Sequence, residues 1–166
     1  MSVVNLTKLI AEPGKQVILI EREFEAPREL VFEAFTDAEL FVQWMGPRDL
    51  TMELQQFEAR DGGAWRYVSK APNGGEFAFC GVFHEVSAPE RIVQTFEFLG
   101  MPKRGHVTLE TATFEALPGE RTKVKMESVF RSVEDRDGML QSGMEKGMND
   151  SFSRLVELLA TLRTKE

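Results

Sequence analysis

Several features that indicate particular classes of protein are scarce or missing in this sequence. Cys80 is the only cysteine among 166 residues, so no disulfide can form within the chain, and a reducing compartment is expected. No stretch approaches the roughly 18 apolar residues that a membrane span needs, and the N-terminus lacks the pattern of a secretion signal. The net charge is -7, and no run of basic residues is present. These observations predict a cytoplasmic protein without a nucleic-acid or membrane partner.

Motifs for metal, cofactor or nucleophilic chemistry are also missing. The two histidines, His84 and His106, lie in different predicted strands and show no metal-ligand spacing. The glycine pairs at 62–63 and 74–75 sit in predicted hairpins without a following helix, so they do not form a phosphate-binding loop. No Gly-x-Ser-x-Gly sequence occurs. The sequence therefore predicts no metal, no cofactor and no specific catalytic constellation.

The hydrophobic pattern predicts a single domain over 1–166, with 1–14 as a tail or a short strand. A strand is followed by two short helices, the second at Ala38 to Trp44, with Asp37 as a candidate N-cap. Alternating segments with short connections then predict an antiparallel sheet. Gly81, inside a long strand, suggests a bulge or bend. The predicted strands are 16–24, 50–57, 64–70, 76–86, 91–98, 107–117 and 122–130.

The last part of the chain predicts one long helix of about seven turns. Apolar residues recur every three or four positions from Leu140 to Leu162, which makes a single stripe that we expect to pack against the sheet. The first half of this stripe is rich in methionine and contains Gly143 and Gly147, whereas the second half is rich in leucine. Methionine suits an adaptable surface, so this gradient predicts a cavity under the first half of the helix.

Large apolar side chains elsewhere in the sequence would form the walls of such a cavity. We predict that it is lined by nine residues, with Trp44 near its mouth: Trp44, Trp65, Tyr67, Phe79, Phe96, Met126, Met144, Met148 and Phe152.

Seven short motifs follow one another along the chain: REFEAP (22–27), VFEAFTD (31–37), QWMGP (43–47), FEARDGGAWR (57–66), GVF (81–83), PERIV (89–93) and SGMEKGM (142–148). In this order they resemble the activator-of-Hsp90-ATPase homologue group, within the START/Bet v 1-like (SRPBCC) superfamily. The similarity covers residues 16 to 163.

The resemblance implies an α+β helix-grip fold, in which a curved antiparallel sheet wraps around a long C-terminal helix, with two short helices after the first strand. It also implies a cavity between sheet and helix that holds lipids, hormones or polyketides in relatives. The sequence differs from the usual pattern at Met45 and Met148, where many relatives have tryptophan. Both differences replace a rigid aromatic ring with a flexible thioether.

Three functions agree with these observations. The first is a protein that binds a small apolar or amphipathic molecule in the cavity. The second is a stress-related partner-binding protein of the Hsp90-activator type, although no residue directly supports contact with a chaperone. The third is an enzyme of the cyclase or hydrolase kind, whose candidate acids and bases are Arg66, Tyr67, His106 and Glu110. Exposed sheet edges and a methionine-rich rim also make a homodimer plausible.

Overall fold

The computed structural model describes residues 7–164, which form one eight-stranded sheet and four helices. The strands are β1 (Lys8–Ile10), β2 (Val17–Phe24), β3 (Thr51–Phe57), β4 (Ala64–Lys70), β5 (Glu76–Ser87), β6 (Arg91–Phe98), β7 (Thr108–Leu117) and β8 (Arg121–Val129). The helices are α1 (Arg28–Thr36), α2 (Ala38–Trp44), α3 (Val133–Gln141) and α4 (Met144–Thr164).

All strand pairs are antiparallel, and the order across the sheet is β1-β2-β8-β7-β6-β5-β4-β3. Strands β3 to β8 form a meander, in which each strand pairs with the next along the chain. The last strand of the meander, β8, pairs with β2, and α1 and α2 connect β2 to the far edge at β3. Together with the long C-terminal helix, this arrangement is the predicted α+β helix-grip fold, which is confirmed.

Local signals mark the start of both short helices, and the N-cap predicted at Asp37 is confirmed. Asp37 caps α2, because its side chain accepts hydrogen bonds from the backbone N–H groups of Glu39 and Leu40 at 2.9 and 3.2 Å. Pro27 precedes α1 in an extended conformation, and its carbonyl accepts the first hydrogen bonds of the helix. The helix Ala38–Trp44 has the predicted bounds.

The prediction of a single C-terminal helix of about seven turns is wrong, because the chain forms two helices there, α3 and α4. Gly143 lies between them with φ +86°, a left-handed conformation that glycine adopts without steric cost and that ends a helix. Ser142 closes α3 by donating its backbone N–H to the Met139 carbonyl at 3.1 Å. The apolar stripe continues across this break, so periodicity alone did not show it.

The N-terminal segment contains the short strand β1, which pairs with β2 through Lys8 to Ile10. Arg136 of α3 is buried and donates hydrogen bonds to the carbonyls of Glu12 and Val17, which holds this segment against the helix. The predicted tail or short strand covers 1–14, and its first six residues lie outside the described residues. Between residues 7 and 164, none of the helices has the length and apolar character needed to span a bilayer.

The core lies between the concave face of the sheet and the helices. Phe152, Leu155 and Leu159 of α4 are at most 2% exposed and pack over Phe24 and Val124. Complete burial of one such side chain stabilises the fold by about 2 kcal/mol. The leucine-rich half of α4 is therefore a fixed, well-packed part of the protein.

Candidate functional site

A cavity of about 130 Å³ lies between the sheet, α1, α2 and the first half of α4. Its lining is mostly apolar, and nearly half of the lining residues are aromatic. The lining residues are Phe35, Phe41, Met45, Phe57, Trp65, Tyr67, Phe83, Ile92, Gln94, Phe96, Glu110, Thr111, Ala112, Met126 and Met148.

Strand alternation brings the aromatic walls to the concave face of the sheet. Trp65 and Tyr67 are two residues apart on β4, so both point inward, and their rings stack at 5.5 Å. Trp65 also packs against Phe96 of β6, whose ring centre lies 5.9 Å away. Rings from different strands thus touch one another and form a continuous wall.

Gly81 makes room for this wall and does not mark a bulge. A Cβ at position 81 would lie 2.6 Å from the indole nitrogen of Trp65 and 2.0 Å from the Thr95 carbonyl oxygen. Only glycine therefore allows the Trp65 indole to lie against β5. The register of β5 with β6 shifts between Phe83 and Glu85 and not at Gly81, so of the predicted bulge or bend the bulge is wrong and the bend stays a prediction.

Among residues 7–164, Glu110 provides the only carboxyl group on the cavity lining. It projects from the concave face of β7 and accepts one hydrogen bond, from the side-chain amide of the cross-strand residue Gln94 at 3.3 Å. Burial raises the pKa of Glu110 to about 7, because the charged form loses its water and the Gln94 hydrogen bond compensates only in part. This carboxyl group can therefore exist in either protonation state near neutral pH.

Tyr67 is the second titratable side chain on the lining. Its hydroxyl takes part in no hydrogen bond among the residues that the structure describes, although the side chain is only 7% exposed. Burial raises the pKa of Tyr67, and the nearby charge of Glu110 raises it further. The hydroxyl therefore stays protonated and is free to donate or accept a hydrogen bond at the cavity.

The two methionines that distinguish the sequence from the usual pattern of its relatives both line this cavity. Met45 follows α2 directly, and Met148 lies one turn into α4. Ser151 and Arg154 of α4 hold the exit of α2 by hydrogen bonds to the backbone of Gly46, at 2.8 and 3.1 Å. This tie keeps the two methionines on the same side of the cavity.

Five of the nine predicted cavity residues line the cavity: Trp65, Tyr67, Phe96, Met126 and Met148. The other four are not on its lining: Trp44, Phe79, Met144 and Phe152. Contact of any of these residues with a ligand stays a prediction.

Trp44 lies one layer behind the cavity and not near its mouth. It is completely buried, and its indole N–H donates to the Ala34 carbonyl at 2.8 Å, which turns the ring toward α1. Phe41, three residues earlier on α2, takes the place on the lining that the sequence suggested for Trp44. Its ring stacks on Phe57 at 4.8 Å.

The remaining three predicted residues also have other surroundings. Phe79 packs behind the lining, with its ring 5.2 Å from Tyr67 and 5.5 Å from Phe96. Phe152 is 1% exposed and packs edge-on against Phe24, in the filled part of the core. Met144 packs on the edge of the core at the start of α4.

Two of the four candidate acids and bases are outside the cavity. Arg66 points to the outer face of the sheet, where its guanidinium donates to Gln55 at 2.9 Å. His106 lies 3.1 Å from the carboxylate of Asp135, also outside the lining. Only Tyr67 and Glu110 remain as titratable groups that face the cavity. Across residues 7–164 no three His, Cys, Asp or Glu side chains are placed to hold a metal ion.

Sequence reasoning did not select several lining residues, among them Gln94, Ala112 and the phenylalanines Phe35, Phe41, Phe57 and Phe83. Alternation along 91–98 places Gln94 on the same face as Phe96, so the strand pattern contained that signal. The phenylalanines are buried in a core that contains many similar side chains, and nothing local distinguishes those beside a void.

The volume of the cavity restricts the class of ligand. Pockets for drug-sized molecules have about 300–1,000 Å³, whereas an apolar cavity of about 150 Å³ accommodates benzene. At about 130 Å³, the cavity has room for one ring or a compact branched group. A lipid or polyketide would require the walls to move apart.

A family profile described as Activator of Hsp90 ATPase homolog 1-like protein matches residues 25–160. The chain belongs to this family. The match includes both short helices, strands β3 to β8 and most of α4. A comparison with curated proteins found no match.

Solved structures of several bacterial proteins have a similar fold. A Staphylococcus epidermidis protein is 30% identical, with a TM-score of 0.79 over 90% of this chain and 93% of its own. An Arthrobacter aurescens protein is 25% identical, with a TM-score of 0.84 over 93% and 91%. A Rhodobacter sphaeroides protein is also 25% identical, with a TM-score of 0.83 over 94% and 99%. The helix-grip fold is thus shared along nearly the whole length of these chains.

Proposed function

We propose that this protein binds a small, mostly apolar molecule in the cavity between the sheet and α4. The observation that carries the proposal is a cavity with an aromatic wall and a single carboxyl group, Glu110. Aromatic and aliphatic walls exclude water and favour an apolar ligand, while one or two polar groups orient it. Glu110 and the free hydroxyl of Tyr67 would provide that orientation.

The cavity volume restricts the proposed ligand to molecules much smaller than a lipid or a polyketide. A ligand the size of one ring, buried completely, gains several kcal/mol from the roughly 25 cal/mol per Å² of apolar area removed from water, less the cost of its lost freedom. We therefore expect affinities in the micromolar to millimolar range for simple probes.

Titration with benzyl alcohol tests this proposal, with binding followed by NMR of ¹³C-methyl-labelled methionine. We expect shifts of the methyl signals of Met45, Met126 and Met148, which line the cavity, and no shift for the exposed Met101. Palmitate should not compete, because its chain exceeds the cavity. Shifts of Met101 alone, or no shifts at all, would contradict the proposal.

Met148→Trp provides a matched variant, because it replaces the thioether by the ring that many relatives have at this position. The indole should fill much of the cavity and abolish the response of Met45 and Met126 to benzyl alcohol. Met101→Trp places the same ring on an exposed loop and should leave binding unchanged. Equal binding by both variants would place the ligand outside this cavity.

Acid–base catalysis is a second candidate function, because two titratable side chains, Glu110 and Tyr67, both line the cavity. A carboxyl group with a pKa near 7 takes up and releases protons efficiently at neutral pH, and a protonated tyrosine donates to an oxygen that gains charge. Glu110 would remove a proton from a carbon next to a ketone, so that a C–H bond breaks while an O–H bond forms on the carboxyl group. The electron pair of the C–H bond would move into an enolate, whose oxygen accepts a hydrogen bond from Tyr67, and return of the proton to the carbon would reverse the step.

Deuterium exchange distinguishes this enzyme from a binding protein. Cyclohexanone in D₂O should lose its α-hydrogen signals faster with the protein than with Glu110→Gln. The same rate with both proteins would eliminate catalysis by Glu110 and leave the binding proposal intact.

A further inference from the structure

The described lining of the cavity has an acidic side chain and no basic one to balance it. Within the part of the chain that the structure describes, Glu110 carries the only carboxyl group on the lining, and none of the fifteen lining residues is Lys, Arg or His. The single amide of Gln94 satisfies only part of the hydrogen-bonding capacity of a carboxylate. The ionised form of Glu110 therefore lacks a positive partner among the side chains that line the cavity.

The walls around this carboxyl group are the kind that attract cations. Seven of the fifteen lining residues are aromatic: Phe35, Phe41, Phe57, Trp65, Tyr67, Phe83 and Phe96. Aromatic rings carry negative charge on their faces, and cages of such rings bind organic ammonium ions. A carboxylate beside aromatic rings therefore offers an ammonium ligand two attractions that a neutral ligand lacks, the ion pair with the carboxylate and the contact of its charge with the ring faces.

We propose that the ligand of this cavity is a small organic ammonium ion, whose positive charge pairs with Glu110 while its alkyl or aryl part contacts the aromatic wall. This inference rests on the proposed binding function and deepens it. A compact ammonium group agrees with the volume of about 130 Å³. It would also supply the positive charge that the cavity lacks, and the net charge of -7 on the chain favours the approach of a cation.

The charge should make binding dependent on pH. Glu110 faces Gln94 from β6, Tyr67 from β4, Met126 from β8 and Met148 from α4, and of these only Tyr67 titrates. Tyr67 stays protonated through neutral pH, so Glu110 alone changes charge there. The affinity for an ammonium ion should therefore rise as Glu110 loses its proton, whereas the affinity for a neutral molecule should not.

Choline and 3,3-dimethylbutan-1-ol form a decisive pair of probes, because they have the same shape and differ only in a nitrogen cation against a neutral carbon. We expect the full-length protein to bind choline about tenfold more tightly than the alcohol at about pH 8, from pairing with Glu110 and contact with the rings. This preference should fall at about pH 5, where Glu110 is protonated.

Glu110→Gln keeps the size of the side chain and removes its charge. The variant should lose about tenfold in choline affinity at about pH 8 and bind the alcohol within about twofold of the wild type. Phe96→Leu removes one ring and keeps an apolar side chain. It should lower the affinity for choline more than the affinity for the alcohol. Methyl signals of Met45 and Met148 report whether each probe occupies the cavity.

Each outcome decides between the two proposals. If the protein binds the alcohol tightly and does not bind choline, the ammonium inference is overturned, and a neutral apolar ligand remains. Choline binding that Glu110→Gln does not change also overturns it, because the cation then binds elsewhere. If neither probe nor benzyl alcohol shifts the cavity methionines, both the binding function and the ammonium inference fail.

Discussion

The two ends of the space between the sheet and α4 are built differently. Under the C-terminal half of the helix, Phe152, Leu155 and Leu159 fill the space completely. Under the N-terminal half, Met148 borders an open cavity, and Gly147 weakens the first turn of the helix. The filled end provides stability, and the open end provides room for a ligand. A fold with one rigid end can therefore leave the other end adaptable without losing its overall shape.

Truncation of one side chain at each end should give the largest contrast. Leu155→Ala should lower the free energy of unfolding by about 3 kcal/mol or more, because it opens a new cavity in a completely buried site. Met148→Ala should cost about 1 kcal/mol, since this side chain is half-buried and already borders a void. Urea unfolding of both variants measures the difference, and equal losses would disprove the contrast between the two ends.

The buried carboxyl group should make the open end sensitive to pH. Folded Glu110 keeps its proton up to a pKa of about 7, whereas in the unfolded chain it titrates near 4.5. Between these pH values the unfolded chain binds fewer protons than the folded chain, so protonated Glu110 stabilises the fold. This stabilisation is fully present below about pH 4.5 and is lost as the pH rises through about 7. The difference corresponds to about 3 kcal/mol.

Glu110→Gln should remove this loss. At about pH 8 the variant should be more stable than the wild type, by up to about 3 kcal/mol, and at about pH 4 the two should be similar. Glu115→Gln, at an exposed position of the same strand, should change stability by less than about 0.5 kcal/mol. A wild-type protein whose stability does not fall relative to Glu110→Gln between these pH values would show that Glu110 is not held protonated.

Enlargement of an alanine should destabilise one end and not the other. Ala26→Val adds two carbon atoms to a completely buried site and should cost about 1–3 kcal/mol through overpacking. Ala112→Val adds the same atoms beside the cavity, so its effect should stay within about 0.5 kcal/mol of zero. Thermal unfolding measures both effects, and an equal loss for Ala112→Val would mean that the cavity is closed to added side chains.

The smallest expected effects come from Gly147, inside the first turn of α4, and from Gly143, which directly precedes α4. Gly147 is helical, and a Cβ there would meet Pro47 at an ordinary 3.7 Å, so Gly147→Ala should stabilise the protein by about 1 kcal/mol. Gly143 has φ +86°, and Gly143→Ala should destabilise by about 1 kcal/mol because alanine is strained in that conformation. Denaturant unfolding of the pair should give changes of opposite sign. The same sign would contradict the placement of the helix break.

Part of the site was predictable because it follows strand periodicity. Trp65 and Tyr67 lie two residues apart on β4, and Gln94 and Phe96 lie two residues apart on β6, so alternation places each pair on one face of the sheet. Met45 and Met148 were visible as differences from relatives, and both line the cavity. Trp44 was misplaced because its helix has two apolar sides, and no local pattern shows which one faces α1 and which one faces the void.

The sequence alone determined the order of the elements, the antiparallel sheet, the cap at Asp37 and the methionine-to-leucine gradient, because each depends on local spacing or on residue type. Only the tertiary structure decided that the C-terminal helix breaks at Gly143 and that a cavity of about 130 Å³ remains. It also decided that Glu110 faces this cavity with no basic side chain among the described lining residues. Those features depend on the packing of strands and helices that are distant in the chain. Burial, and with it the pKa of Glu110, results from that packing.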